Sequence, residues 1–127
     1  MLTRQKELSD DQLGNLKARI SFFKPSIVWK KTIDFLGFET RIEISGTHDH
    51  LNNEERVKII EALREQEILE RQALMVIKDL CHKQGLEFEK WQDYFECSRI
   101  YIHRKHLYIS ISNHYNKLTY ELELKAF

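Results

Sequence analysis

One helical pattern of unusual length constrains the fold of this 127-residue chain more than any other feature. It begins at Asn52, a residue type favoured as a helix N-cap, with Glu55 three positions later as in a capping box. It continues to Gln84, and Gly85 follows in the position of a helix-terminating glycine. About 33 residues make a helix roughly 50 Å long, whereas a compact domain of this size is only about 30–35 Å across. One straight helix therefore cannot lie within one such domain.

The apolar residues of this pattern change face near its middle. At 100° per residue, the stripes of the two halves differ by roughly a quarter turn, and residues 64–67 between them are all polar. We therefore expect one of two arrangements. Either the helix bends or breaks near Glu65 and Gln66, or it stays straight and one half packs on a second subunit, giving a homodimer through the long helix. The apolar positions are Val57, Ile59, Ile60 and Leu63 in the first half, and Leu69, Ala73, Val76, Ile77 and Leu80 in the second.

Regions on both sides of the helical pattern alternate apolar and polar residues with the period of a β-strand. Before it, residues 27–45 form a predicted β-hairpin, in which Gly37 supplies the positive φ of a tight turn. After it, three strands are predicted, the first around Ile100 and Ile102 and the others at 107–111 and 118–124. One face of each strand is apolar, which is typical of an antiparallel sheet that is buried on one side.

The N-terminal segment is expected to form a short helix. Ser9, Asp10 and Asp11 suit a helix start, because acidic groups favour the positive end of the helix dipole. Pro25 should end the helix, since the residue before a proline disfavours helical backbone. The apolar residues that recur at helical spacing between these limits are Leu13, Leu16, Ile20 and Phe23.

Together these elements predict an α+β fold in which residues 1–127 make a single domain. Its antiparallel β-sheet of about five strands consists of the β-hairpin and a three-stranded meander. The long α-helix lies across one face of the sheet, and the short N-terminal helix precedes them.

Composition and motifs exclude several classes of function. The chain has 20 Lys and Arg against 20 Asp and Glu, so its zero formal net charge excludes a general polycation. No signal-peptide pattern and no apolar run near the ~20 residues of a membrane span is visible, which indicates a cytoplasmic protein. Cys81 and Cys97 are then expected to be buried, reduced thiols. The sequence has no nucleotide-binding or nucleophile motif, and we predict neither catalytic residues nor a cofactor.

Residues 98–120 contain no Asp or Glu but several basic and aromatic side chains. The strand period places the residues at 99, 101, 103 and 108 on the face opposite the core. Tyrosine and arginine are favoured anchors of protein interfaces, so we expect this face to bind another protein without catalysis. The predicted partner-binding residues are Arg99, Tyr101, His103, Arg104, Lys105 and Tyr108.

Two alternatives remain open at the level of sequence. A basic and aromatic sheet face also binds anions or single-stranded nucleic acid in several modules, although Glu39, Glu43, Glu121 and Glu123 should lie on the same face and repel phosphate. Histidines in two loops could instead hold the metal of a metal-dependent hydrolase, provided that both loops lie at one end of the sheet. These histidines are His48, His50, His103 and His106, none of which is assigned as a metal ligand.

Three segments and their order along the chain resemble those of small uncharacterised bacterial α+β domains. The segments read WKKTIDFLG at 29–37, RIEISG at 41–46 and LTYELEL at 118–124. Some domains of this layout look like immunity proteins that neutralise toxins of neighbouring bacteria. The resemblance implies protein binding without catalysis, and it assigns no functional residues.

Overall fold

The computed structural model describes residues 3–21, 23–24, 26–83, 85, 90–114 and 117–124. Within these ranges, seven strands form one sheet whose spatial order follows the chain order. The connection between β4 and β5 contains two helices and a short 3-10 helix at Trp91–Asp93. The elements are β1 (Thr3–Asp10), β2 (Gly14–Ser21), β3 (Ile27–Phe35), β4 (Phe38–Gly46), α1 (Asn53–Arg64), α2 (Gln66–Lys83), β5 (Phe95–His103), β6 (His106–Asn113) and β7 (Thr119–Leu124).

The prediction of an antiparallel sheet of about five strands, crossed by one long helix, is wrong. The sheet has seven strands and is mixed, because β4 and β5 run parallel, with Ile42 opposite Ile100. Antiparallel neighbours can be joined by a short turn, whereas parallel neighbours need a longer crossover. Here α1 and α2 form that crossover. The two predicted blocks of strands are confirmed as β3–β4 and β5–β7, but strand periodicity carries no information on which strands are neighbours.

The predicted short N-terminal helix is also wrong, because this segment forms the hairpin β1–β2. The buried residues of β2 are Leu16, Ala18 and Ile20, which follow the strand period of two. Leu16 and Ile20 also fit helical spacing, so the apolar positions did not distinguish the two structures. Phe23 is exposed, and Pro25 lies outside the described residues.

Asp10 makes the hydrogen bonds typical of a helix N-cap, but it makes them in a turn between two strands. Its carboxylate accepts the backbone N–H groups of Gln12 and Leu13, both at 2.9 Å. In this chain the two bonds close the turn between β1 and β2, as Asp commonly does in turns. Gly14 follows with a φ of +80°, which glycine adopts without a Cβ clash.

The long helical pattern is broken at Glu65, so of the two expected arrangements the break is the one found. Glu65 has φ −108° and ψ 37°, outside helical values. Gln66 fixes the break, because its Oε1 accepts the N–H of Leu36 in the β3–β4 turn and its Nε2 donates to the Leu63 carbonyl, each at 3.1 Å. Because the pattern forms two shorter helices, its length no longer requires a second subunit. The homodimer stays a prediction.

The predicted N-cap of the helical pattern is confirmed. The Asn52 side chain accepts the backbone N–H of Glu55 at 3.0 Å. The Glu55 carboxylate accepts the N–H of Ser45 at 2.9 Å, which ties the start of α1 to the end of β4. At the far end, α2 is described as far as Lys83 and Gly85 has a φ of +72°, while Gln84 lies outside the described residues.

The hydrophobic core lies between the helices and one face of the sheet. Strand residues with no exposed surface include Trp29, Ile42, Ile100 and Ile109, and they form one cluster with Ile59 and Leu69 of the helices. Cys81 and Cys97 are buried in the same cluster and form no disulfide. Burial raises the pKa of the Cys97 thiol to about 11, which makes it a poor nucleophile. In the part of the chain that the structure describes, no helix is both long and apolar enough to cross a membrane.

An ion pair ties the edge hairpin β1–β2 to α1. Arg56 Nε lies 2.6 Å from Asp10 Oδ2, and Arg56 Nη2 lies 3.2 Å from Asp10 Oδ1. The Asp10 side chain is only 11% exposed, so the pair is poorly screened by solvent. The hydrogen bond from Arg56 is the main cause of an Asp10 pKa lowered from 3.8 to about 2.

We expect Asp10→Asn to lower the free energy of unfolding by about 2 kcal/mol at pH 7. The asparagine oxygen can still accept the N–H groups of Gln12 and Leu13, so the variant removes mainly the charge. Because the folded-state pKa is lowered, the stabilisation is fully present above pH 3.8 and is lost as the pH falls towards 2. Urea unfolding from pH 7 to pH 2 should show the two proteins converging.

Asp11→Asn is the matched control, since the Asp11 side chain is 86% exposed. Its effect at pH 7 should stay below about 0.5 kcal/mol. A stability difference between wild type and Asp10→Asn that does not change with pH would contradict the ion-pair account.

We expect Gln66→Ala to lower the free energy of unfolding by about 1–2 kcal/mol, because the N–H of Leu36 loses its acceptor. Urea unfolding at neutral pH measures this change. Glu67→Ala, at the next and exposed position, should change it by less than about 0.5 kcal/mol. Equal effects of the two substitutions would show that Gln66 does not fix the helix break.

Candidate functional site

The face of the sheet opposite the helices, called the open face below, brings together most of the predicted partner-binding residues. Strand register places side chains of β4 to β7 in rows across this face. One row contains Glu43, Tyr101, Tyr108 and Glu123, and a neighbouring row contains Arg41, Arg99, Ser110 and Glu121. His103 and His106 form the next cross-strand pair towards the end of the β5–β6 hairpin.

A β-bulge directs Arg99 onto the open face. The register between β5 and β6 shifts between Cys97 and Arg99, so that Ser98 is the extra residue. Cys97 therefore points into the core while Arg99, two positions later, lies on the opposite face. Without the bulge, strand alternation would place both residues on the same face.

Arg99, Tyr101 and Tyr108 form a stacked group, called the tyrosine platform below. The rings of Tyr101 and Tyr108 are nearly parallel, with 16° between planes and 5.5 Å between centroids. The guanidinium carbon of Arg99 lies 3.9 Å from the Tyr101 ring centroid, a cation–π contact. His103 approaches Tyr108 edge-on at 6.3 Å. Both tyrosines remain partly exposed.

Glu121 holds the tyrosine platform from β7. Its Oε2 accepts hydrogen bonds from the Tyr101 hydroxyl at 2.9 Å and from the Ser110 hydroxyl. Burial, together with the adjacent Glu121 carboxylate, raises the pKa of Tyr101, so its hydroxyl stays a donor at neutral pH. The platform is therefore ordered before any partner arrives.

Glu43 supports Arg99 from the other side. The Glu43 carboxylate lies 2.8 Å from Arg41 Nε and 3.6 Å from Arg99 Nη1. Buried Arg99 Nε has no hydrogen-bond partner among the described residues. Beside these groups, Ser98, Ser112 and Thr119 help to line an open polar cavity of about 340 Å³. Hydroxyl groups thus line the cavity next to Arg99 and Glu121.

Two of the predicted partner-binding residues, Arg104 and Lys105, lie at the tip of the β5–β6 hairpin rather than on the open face. Both have positive φ angles, +49° and +70°. Two such residues form a turn that strongly prefers Asn and Gly, because a side chain raises the energy of left-handed backbone. Lys58 Nζ donates to the Lys105 carbonyl and braces the turn. Two exposed cations thus occupy positions where they disfavour folding.

We expect Lys105→Gly to raise the free energy of unfolding by about 0.5–1 kcal/mol, because glycine relieves the left-handed backbone at this position. Lys90→Gly is the matched control: Lys90 has a φ of −118°, so glycine should lower stability there by about 0.5–1 kcal/mol. Thermal or urea unfolding of the two variants decides the matter. Equal losses in both would contradict the strained turn.

The structure places the four loop histidines at one end of the sheet, but it does not bring them together in one site. His48 and His50 follow β4, and His103 and His106 close the β5–β6 hairpin, at corresponding ends of the parallel strands β4 and β5. His106 Nδ1 instead lies 2.8 Å from Glu123 Oε1, and His48 Nε2 lies 3.4 Å from the Lys24 carbonyl. Among the described residues, no group of three or more His, Cys, Asp or Glu is placed to hold a metal ion.

The sequence does not predict the supporting role of Ser110, and from the sequence Glu43 and Glu121 are expected only to repel phosphate. All three lie on the open face next to Arg99 or Tyr101. Knowledge of the strand pairing would have predicted their contacts, because cross-strand neighbours are the residues that interact on a sheet face. The pairing of β4 with β5 was the missing information.

Comparison with known proteins gives no match to any family model. The searches of curated proteins and of solved structures likewise give no significant match.

Proposed function

We propose that this chain is a non-catalytic protein-binding domain of the inhibitor or immunity type and that the open face is its partner surface. The observation that carries the proposal is the tyrosine platform, which lies on β5 and β6 on the face that no described helix covers. Tyrosine and arginine dominate the binding energy of many protein interfaces. Their arrangement here presents aromatic surface with polar groups at its edges.

Pre-ordering of the platform favours binding to a protein. Tyr101 is held by Arg99, Tyr108 and Glu121, so little side-chain freedom is left to lose when a partner covers it. The hydroxyl-lined cavity beside it supplies groups that can hydrogen-bond a partner main chain. Aromatic rings bordered by hydroxyls and charges are typical of a specific protein interface.

The nucleic-acid alternative is less well supported by the same residues. Base stacking needs a free aromatic face, but Tyr101 is in contact with Tyr108 and Arg99. Glu43, Glu121 and Glu123 lie in the rows of the platform and would repel a phosphate backbone. A protein surface of mixed charge meets no such penalty.

Site-specific photo-cross-linking tests the proposal in lysate of the native host. A benzophenone amino acid placed at Tyr108 should capture one protein reproducibly, identified by mass spectrometry. The matched control carries the same group at Met75, a 75% exposed residue of α2 on the helix side of the sheet. The probe at Met75 should not capture this protein. Capture by the probe at position 108 should be reduced in a protein that also carries Arg99→Ala.

Two outcomes would contradict this assignment. If a specific protein were captured by the probe at Met75 but not by the probe at position 108, the interface would lie on the helices. Recovery of no specific protein from position 108 under several growth conditions would count against a partner on the open face.

A further inference from the structure

The strands β2 and β3 separate and leave a cleft between them. Among the described residues they are paired only at Lys17 and Lys30, whereas β1–β2 and β3–β4 are paired along their lengths. The separation opens a cavity of about 550 Å³. This cavity is called the basic cleft below, because four cationic side chains line it. Its polar lining includes Lys17, Arg19, Lys24 and Lys30, together with Ser21 and Ser26.

The basic cleft carries four cationic side chains and no carboxylate among the described residues that line it. Lys17 lies 3.8 Å from Glu7 in an exposed pair, which is weak. Arg19, Lys24 and Lys30 form no ion pair with the described part of the chain. Like charges held close together disfavour the compact state. A bound anion would remove that repulsion.

The basic cleft is continuous with the tyrosine platform. Lys30 is paired with Glu43 across β3 and β4, and Glu43 is aligned with Tyr101 across β4 and β5. At the usual strand spacing, Lys30 and Tyr101 are only about 10 Å apart on the same face. A protein that covers the platform would reach the cleft without covering any helix.

We propose that the basic cleft binds the carboxylates of an acidic segment on the protein partner. This proposal rests on the proposed function, because it adds the partner's chemistry to the same face. Lysine and arginine attract the carboxylates and speed association, and the hydroxyls of Ser21 and Ser26 can donate to them.

A nucleic acid fits the open face less well than such a segment. Its phosphates would extend from the basic cleft past Glu43 to Glu121 and Glu123, which repel a uniformly charged backbone. A protein can place carboxylates against the cleft and other groups against the platform.

The experiment uses two fluorescent probes, an octaglutamate peptide and an eight-residue oligothymidylate. Anisotropy at 50 mM salt should show the peptide binding at least as tightly as the oligonucleotide, and its affinity should fall at least tenfold at 300 mM salt. In the ¹⁵N-labelled wild-type protein, the peptide should shift the backbone amides of Lys17, Arg19 and Lys30. Shifts confined to other surfaces, tenfold tighter oligonucleotide binding or no peptide binding at millimolar concentration would each overturn the proposal.

Charge-neutralising variants give the matched comparison. Lys17→Gln with Lys30→Gln should weaken peptide binding at least tenfold and leave the melting temperature unchanged or higher, because repulsion is relieved. Arg71→Gln with Lys78→Gln removes the same charge from exposed positions of α2 and should change binding less than twofold. Equal losses in both pairs would show unspecific attraction and overturn the cleft site.

The two proposals fail in different ways. Arg99→Ala should leave peptide binding to the cleft intact while reducing capture of the partner through position 108. Capture through position 108 without peptide binding overturns the cleft alone. Peptide binding without capture overturns the partner surface while leaving an anion site.

Discussion

The parallel pairing of β4 with β5 is the constraint on which the rest of the structure depends. With Ile42 opposite Ile100, it joins the four N-terminal strands to the three C-terminal strands in one sheet. A parallel pair requires a crossover, and α1 and α2 provide it on one face. The core forms on that face, and no described helix covers the other face. The same register aligns Glu43 with Tyr101, so the support of the tyrosine platform follows directly from the topology.

Local signals were sufficient for part of this structure. Alternation around Ile100 and Leu107 gave the correct face for Arg99, Tyr101 and Tyr108, and Gly37 marked the β3–β4 turn with a φ of +86°. The N-terminal hairpin was missed because apolar positions at 16 and 20 satisfy both periods, and Asp10 makes the same bonds in a turn as in a helix cap. Because a helix was predicted there, the positions of Lys17 and Arg19 on the open face were also not predicted. A β-strand places both side chains on that face. Strand neighbours cannot be deduced from periodicity.

Zero net charge conceals a strong separation of charge. Four cations converge at the basic cleft, and two more occupy a left-handed turn at Arg104 and Lys105. Neither arrangement helps the chain to fold, since repulsion and backbone strain both disfavour the folded state. Asp10 and Arg56, by contrast, form a close pair that anchors the edge hairpin. Charges that oppose folding are expected where a surface serves binding, and the basic cleft lies on the open face.

The most direct measurement is the structure of the protein bound to its captured partner. We expect the partner to cover Tyr101 and Tyr108, to place carboxylates within hydrogen-bond distance of Lys17 or Lys30, and to leave Met75 of α2 in solvent. A complex in which the partner packs on α1 and α2 while both tyrosines stay exposed would contradict it.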